Sequence, residues 1–453
     1  MWPLPDAEKV VGNGTADSCN EETLREAVSG GGLVRFDCGE EQAVITVTSE
    51  IQINQETVID GEDSVTLDGG GSSRIFFVSS ALSVRNLRFV NGNALGEEES
   101  GGAVSGGWRS RVEVVNCDFE DNIAGNAGGA VAVGTGSELT VVSSRFMHNT
   151  SRYGGAIYSL WSPLHIVNSS FVENTTAVNA GGGAIGTDGA LDPDYRDDGA
   201  VGGTIEICGS IFRNNEAYGA GGAAFLWVYP PDVIIIDRCT IEGNILLKDD
   251  DGEGLAMGGG MRVSNGEIFI RNSSFISNSA QTHGGGLSLD CEPTCTITNT
   301  TIYDNEVVDG FGGAVFGDKI RMNNVTVANN FASGHGGAFF GGEDVTIQNS
   351  IIADNHAGNP WGQAYSCYAT LTGDAVMQWV SDFEGAGDDV CIPDVLSEDP
   401  MLNPPADNGG STVTMLPDAE SPALQAGHDC EPFDQRGEPR DPTSCDLGAV
   451  ELP

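Results

Sequence analysis

The chain has 453 residues and sets 66 acidic side chains against 20 basic ones, a formal net charge of −46. That field excludes nucleic acid as a partner and disfavours unassisted contact with other polyanions. No apolar run is long enough to span a membrane as a helix, and a monomer is expected.

Taken in chain order, the opening Met1-Trp2-Pro3-Leu4-Pro5 has neither a basic n-region nor an apolar h-region, so a signal peptide is expected to have been removed or replaced. A short amphipathic helix is predicted from Asn20 to Val28. Asn20 would cap it, Glu21 and Glu22 would favour its positive end, and Gly30-Gly31-Gly32 would stop it. Leu24, Ala27 and Val28 would share its buried face, making residues 1–40 an N-terminal cap.

From residue 41 to 357 one phrase recurs. It reads NCDFEDN at Asn116, NSSFVEN at Asn168, NSSFISN at Asn272 and NSIIADN at Asn349, each time with a Gly-Gly-Ala-like run nearby. The closing Asn falls at Asn122, Asn149, Asn174, Asn214, Asn244, Asn278, Asn305, Asn330 and Asn355, in steps of 25 to 40 residues. A period near 25 with insertions signals a solenoid. Each repeat is too short for a βαβ unit and lacks helical apolar spacing. Short β-prone pieces such as Ile205 to Ile207, Val233 to Ile236, Ile268 to Ile270 and Val345 to Ile347 lie between turn residues. Two or three such strands per repeat describe an all-β, parallel β-helix of about 10–12 coils, stacked roughly 4.8 Å apart.

The repeated residues then acquire physical roles. Gly-Gly supplies a tight corner with positive φ. Ala130, Ala156, Ala184, Ala223, Ala314 and Ala338 suit a crowded interior, and Phe119, Phe171, Phe275 and Ile302 would stack in the core. The closing Asn tolerates left-handed backbone and can link amides up the stack.

These phrases resemble the right-handed parallel β-helix repeat proteins of bacteria, with repeats like those of polymorphic outer-membrane proteins, over roughly Ile45 to Asn355. The resemblance implies a single-stranded right-handed β-helix. It does not imply an activity, because lyases, hydrolases, adhesins and inert stalks share this fold. The Cys19-to-Leu24 segment is similar to the entry of such proteins. The run from Asp399-Pro400 through Asp434-Gln435-Arg436-Gly437 to Cys445-Asp446-Leu447-Gly448-Ala449-Val450 resembles a choice-of-anchor Q domain. Val450 stands where that family has an aromatic residue, and no anchor signal follows Pro453, so residues 358–453 are read as an irregular C-terminal cap.

Eleven cysteines show no CxxC or zinc spacing. Proximity pairs Cys19 with Cys38, Cys291 with Cys295, Cys367 with Cys391 and Cys430 with Cys445, stapling both caps and one loop; Cys117 and Cys239 would face the core as thiols. Disulfides imply an oxidising setting, secreted or at a cell surface. Sequons at Asn149, Asn168, Asn174, Asn272, Asn299 and Asn324 would be glycosylated in a eukaryotic secretory host, although Ser/Thr-rich turns generate them by chance.

Two acidic loops could bind Ca²⁺ through oxygen: one carries Asp194, Asp197 and Asp198, the other Asp249, Asp250, Asp251 and Glu253. A merely solvated acidic surface is the favoured account of them. The longest insertions, Ala184 to Asn214 and Asn244 to Met261, leave different corners of the coil and do not wall one cleft.

Aromatic residues suggest a polysaccharide or cell-surface glycan as partner. Trp108 and Trp161 each follow a repeat alanine by five residues, Trp227 follows Ala223 by four, and Arg109, Arg111 and Tyr229 lie nearby. On one edge, two coils apart, the first two would sit roughly 10 Å from each other, a pitch for alternate sugar rings. Aromatic packing over the turns is the alternative. His283 and His335 both precede Gly-Gly but read as one position out of register. A lyase base beside a carboxylate could be drawn from Lys319 with Arg321 or Tyr153 with Arg152, and no hydrolase pair can be selected. The expectation is a non-catalytic scaffold or adhesin, with a polysaccharide lyase or hydrolase as the alternative.

Overall fold

The computed structural model describes residues 8–176, 180–195, 201–248, 254–342, 344–359, 366–381 and 390–452. The chain is nearly all β, a parallel β-solenoid of about 13 turns, slightly more than the repeats alone imply. It divides into two compact units: residues 1–206 with 227–232, and residues 207–226 with 233–453.

The first unit begins with a strand the repeat pattern does not mark, Glu8–Gly12, parallel to Gly32–Asp37. Between them lies the helix Glu21–Val28. Asn20 accepts the Thr23 N–H at 3.2 Å, and the Thr23 hydroxyl answers the Asn20 N–H, so the cap is reciprocal. Leu24, Ala27 and Val28 are buried, and the Cys19–Cys38 disulfide holds the entry.

Coils then stack in strict register. Leu82, Val112, Leu139 and Leu164 occupy one column, and each is fully buried. Phe89, Phe119, Phe146 and Phe171 stack at centroid distances of 4.6, 4.8 and 5.0 Å. The Asn122 amide donates to Asn149 Oδ1 at 2.9 Å, and Asn149 to Asn174 at 3.0 Å. Each amide also bonds a Phe carbonyl of the preceding coil, so these buried groups are satisfied.

The second unit repeats the plan. Its amide ladder runs Asn215, Asn244, Asn278, Asn305, Asn330, Asn355 with side-chain bonds of 2.8–2.9 Å. The register therefore uses Asn215, not Asn214: Asn214 is exposed, with φ 54°, and Asn215 is fully buried. The left-handed residue is always the one before the ladder Asn, as at Asp121, His148 and Ser277. Left-handed backbone recurs at the opening Asn of the phrase, Asn116, Asn168, Asn272 and Asn349. At the Gly-Gly corner the first glycine carries φ of +58° to +85°, as at Gly128 and Gly258.

A second, smaller face packs Ala217, Leu246, Ala280, Val307 and Ala332. Cys291–Cys295 closes a register shift between adjacent strands.

The C-terminal region is a cap in its first part and a lateral strap in its second. Thr372–Trp379 continues the stack in register on Thr346–Ala353, near the Cys367–Cys391 disulfide. Beyond residue 399 the chain turns back along the left-handed asparagines. Asn349 bonds the His428 carbonyl, Asn324 Oδ1 takes the Glu431 N–H, Asn299 bonds the Phe433 carbonyl, and the Thr412 hydroxyl donates to the Asn272 carbonyl. Buried Arg440 reaches Asn299, Glu451 and the carbonyls of Asp446 and Gly448, and Cys430–Cys445 closes the strap. Of the six sequon asparagines named above, Asn168 is exposed and Asn272 half-buried; the ladder takes Asn149 and Asn174, and the strap covers Asn299 and Asn324.

Candidate functional site

The tryptophan edge lies in the first unit. Val104, Val131 and Ile157 are register partners, which puts Trp108, Thr135 and Trp161 at equivalent places four residues on. Backbone bonds continue the column: Arg109 N–H to Thr135 O, Gly136 N–H to Trp161 O, Trp161 N–H to Asp188 O and Gly189 N–H to Trp227 O.

The side chains along it differ in state. Trp108 is 63% exposed, and the Arg109 guanidinium carbon lies 4.2 Å from its ring centroid. Arg109 Nη2 is held by Asp192 at 3.2 Å and by Asp194 at 3.5 Å; Asp192 is buried, whereas the Asp194 side chain is exposed. Trp161 stacks face to face on Tyr229 at 4.7 Å, and Tyr229 meets Trp227 edge-on at 6.4 Å. A Cβ at Gly189 would come within 2.7 Å of the Trp161 ring, so only glycine lets the indole lie flat there. The Trp161 ring is thus packed from more than one side, as the aromatic-packing alternative expects, and Trp108 offers the open indole.

Two acidic residues build the frame. Buried Asp232 accepts the N–H groups of Ala190 and Gly203, both at 2.9 Å, joining the turn of Tyr229 to both ends of the 184–214 insertion. Asp192, from the same insertion, accepts the Asp194 N–H at 3.0 Å while anchoring Arg109. Asp192 and Asp194 of the first insertion therefore lie over the tryptophan edge. Only a local charge count, one arginine beside an acidic insertion, could have hinted at this. The equivalent stretch of the second insertion, residues 249–253, lies outside the described residues.

The Ca²⁺ candidates separate accordingly. Asp194 faces Arg109, and a cation there would compete with a guanidinium. Asp197, Asp198, Asp249, Asp250, Asp251 and Glu253 lie outside the described residues. A group not anticipated, Glu120, Asp121 and His148, brings three donor atoms within 4.8 Å. Glu120 already pairs with Arg88, and His148 bonds Glu173 at 2.8 Å, so these donor atoms are already engaged across coils.

Among the proposed lyase bases, Lys319 pairs with Glu292 at 3.3 Å, and the Arg152 guanidinium carbon sits 5.2 Å from the centroid of the Tyr153 ring. Neighbouring Tyr158 is pushed upward by burial and by Asp188, the opposite of what a base needs. Arg111 faces Glu56 at 3.9 Å. His283 and His335 prove to be in register after all, with Phe311 between them, because Gly286 occupies the place of the repeat alanine. Cys117 and Cys239 are buried thiols pushed up to about 12 by burial, while Cys208 is half-buried 3.0 Å from Arg238.

A family model described as right handed beta helix region matches residues 196–352. That match and the parallel β-solenoid both support a right-handed β-helix repeat protein. The chain is 28% identical over 200 residues to a probable autotransporter, YfaL, of Escherichia coli K12, covering 40% of this chain and 16% of that protein. It is 27% identical over 277 residues to a metabotropic glutamate receptor-like protein R of Dictyostelium discoideum, covering 55% of this chain and 16% of that one. The β-helix chain thus spans about one sixth of the length of either relative. The Streptococcus pneumoniae surface protein and adhesin PfbA aligns over 86% of this chain and 100% of its own, with 12% identity and a TM-score of 0.37.

Proposed function

We infer that this β-helix is a secreted or cell-surface scaffold that binds glycan along its tryptophan edge without turning it over. The observation that carries the reading is Trp108, an exposed indole with an arginine laid against it and a buried aspartate fixing that arginine. A sugar ring can stack on the free face of such an indole while the guanidinium donates to hydroxyls. Paired cysteines support an oxidising compartment, and the partial likeness to an autotransporter supports a surface location.

The test is a panel of neutral and uronate polysaccharides, with and without Ca²⁺, scored for retained protein, reducing ends and unsaturated-product absorbance. Retention without products is expected, and Trp108→Ala should abolish it with the fold intact, since that ring is mostly exposed. Products that accumulate would replace this reading with the lyase or hydrolase one. Retention that depends on Ca²⁺ would bring the acidic loops into the site.

A further inference from the structure

A corner of the second unit carries chemistry that the tryptophan edge lacks. Phe316 and Phe340 are register partners, and the bridge of Phe339 to Cys367 makes Tyr368 the next residue in their column. Their rings stack at 5.8 Å and 4.5 Å, and Phe311 lies against Phe340 at 4.7 Å. All of them point out of the coil, and the column ends on Tyr368, 54% exposed. The rings of Phe316, Phe340 and Tyr368 wall a groove of about 350 Å³ that Gly317, Asp318, Lys319, Gly341, Gly342 and Asp344 complete. That volume lies near the lower end for small-molecule sites and suits one sugar ring.

Charge narrows the ligand. Asp318 is fixed by the Gly342 N–H, which donates to Oδ1 at 2.6 Å, and Asp344 is exposed at the lip. Lys319, the one cation of the described lining, is drawn to Glu292. Asp290 stands beside Asp318 in the strand register. Aromatic faces under a negative field attract an ammonium group twice, through ring quadrupoles and through carboxylates. An acetylated amine or a plain hydroxyl keeps the ring contact and a neutral hydrogen bond but gains neither the charge pairing nor the cation–π attraction.

We propose that this groove binds an amine-bearing pyranose, its ring against Tyr368 and Phe340 and its ammonium toward Asp318 and Asp344. The site shares no residue with the tryptophan edge and stands whether or not glycan binds at Trp108.

The full chain is titrated at physiological ionic strength with glucosamine and its β-1,4 disaccharide, and with their N-acetylated counterparts, by calorimetry. Aromatic NMR signals report the site. The amine forms should bind and the acetylated forms bind at least about tenfold more weakly. Tyr368→Ala and the pair Asp318→Asn with Asp344→Asn should each weaken binding by about fivefold or more, on the scale of a partly desolvated cation–π contact. The charge-matched pair Glu398→Gln with Glu420→Gln should leave it unchanged, and Trp108→Ala should leave the ligand-induced shifts of the Tyr368 ring signals unchanged. Equal affinity for the acetylated sugars, absence of binding, or an equal loss in the charge-matched pair would each overturn the proposal. Loss in Trp108→Ala alone would remove this site and leave the tryptophan-edge reading standing.

Discussion

Asn215 and Asn214 are adjacent, chemically identical and structurally opposite. One is a fully buried rung whose amide donates to Asn244 at 2.9 Å; the other is exposed with φ 54°. Removing a rung leaves its neighbours' buried polar atoms unpaired, at about 1–3 kcal/mol. Asn215→Ala should therefore lower the denaturant midpoint markedly, whereas Asn214→Gly, which suits left-handed backbone, should leave it near wild type. Equal effects would remove the ladder assignment. The distinction was available in the sequence. Every rung lies three residues after its core aromatic or aliphatic residue, as Asn122 after Phe119, Asn305 after Ile302 and Asn215 after Phe212. The step from Asn174 gives no such guide, because the insertion makes it irregular and Asn214 and Asn215 are adjacent.

At the scale of elements, the N-terminal helix is tied to the first coils through Glu21. Burial opposes its charge, yet bonds from the Thr48 hydroxyl, Arg25 and the Thr48 N–H outweigh that and hold it at about 2 against an ordinary 4.5. Because the folded value is depressed, the stabilisation is fully present above pH about 4.5 and is lost as pH falls toward 2. Amide-exchange protection of Leu24 and Ala27 should be lower in Glu21→Gln than in wild type at neutral pH, and the two should converge near pH 2. A difference that persists in acid would mean that Glu21 acts through packing alone. The helix itself was legible because its cap, charges and stop lie within a dozen residues. The strap was not: Arg440 meets Asn299 across 141 residues, and no local spacing encodes that contact.

For the molecule as a whole, −46 charges oppose compaction. Cross-coil pairs such as Arg145 with Asp118 and Arg213 with Glu242 are exposed, so each contributes roughly 0–1 kcal/mol. Twenty basic residues cannot offset 66 acidic ones, so repulsion outweighs pairing. The melting temperature should rise as NaCl increases up to about 1 M, where the screening length falls to roughly 3 Å. A fall over that range would show that the ion pairs dominate instead.

The sequence by itself determined the coil, its interior columns and its helical entry. Each is written in short spacings, since a side chain facing inward must recur once per turn to bury its surface and satisfy its amide. Tertiary structure alone decided what lies on the outside. The strap over Asn272 to Asn349, Asp192 and Asp194 over the tryptophan edge and the aromatic groove at Tyr368 arise where outward residues of different coils meet distant chain. Outward positions are less constrained because solvent tolerates almost any residue there, so their function emerges only once the coils are stacked.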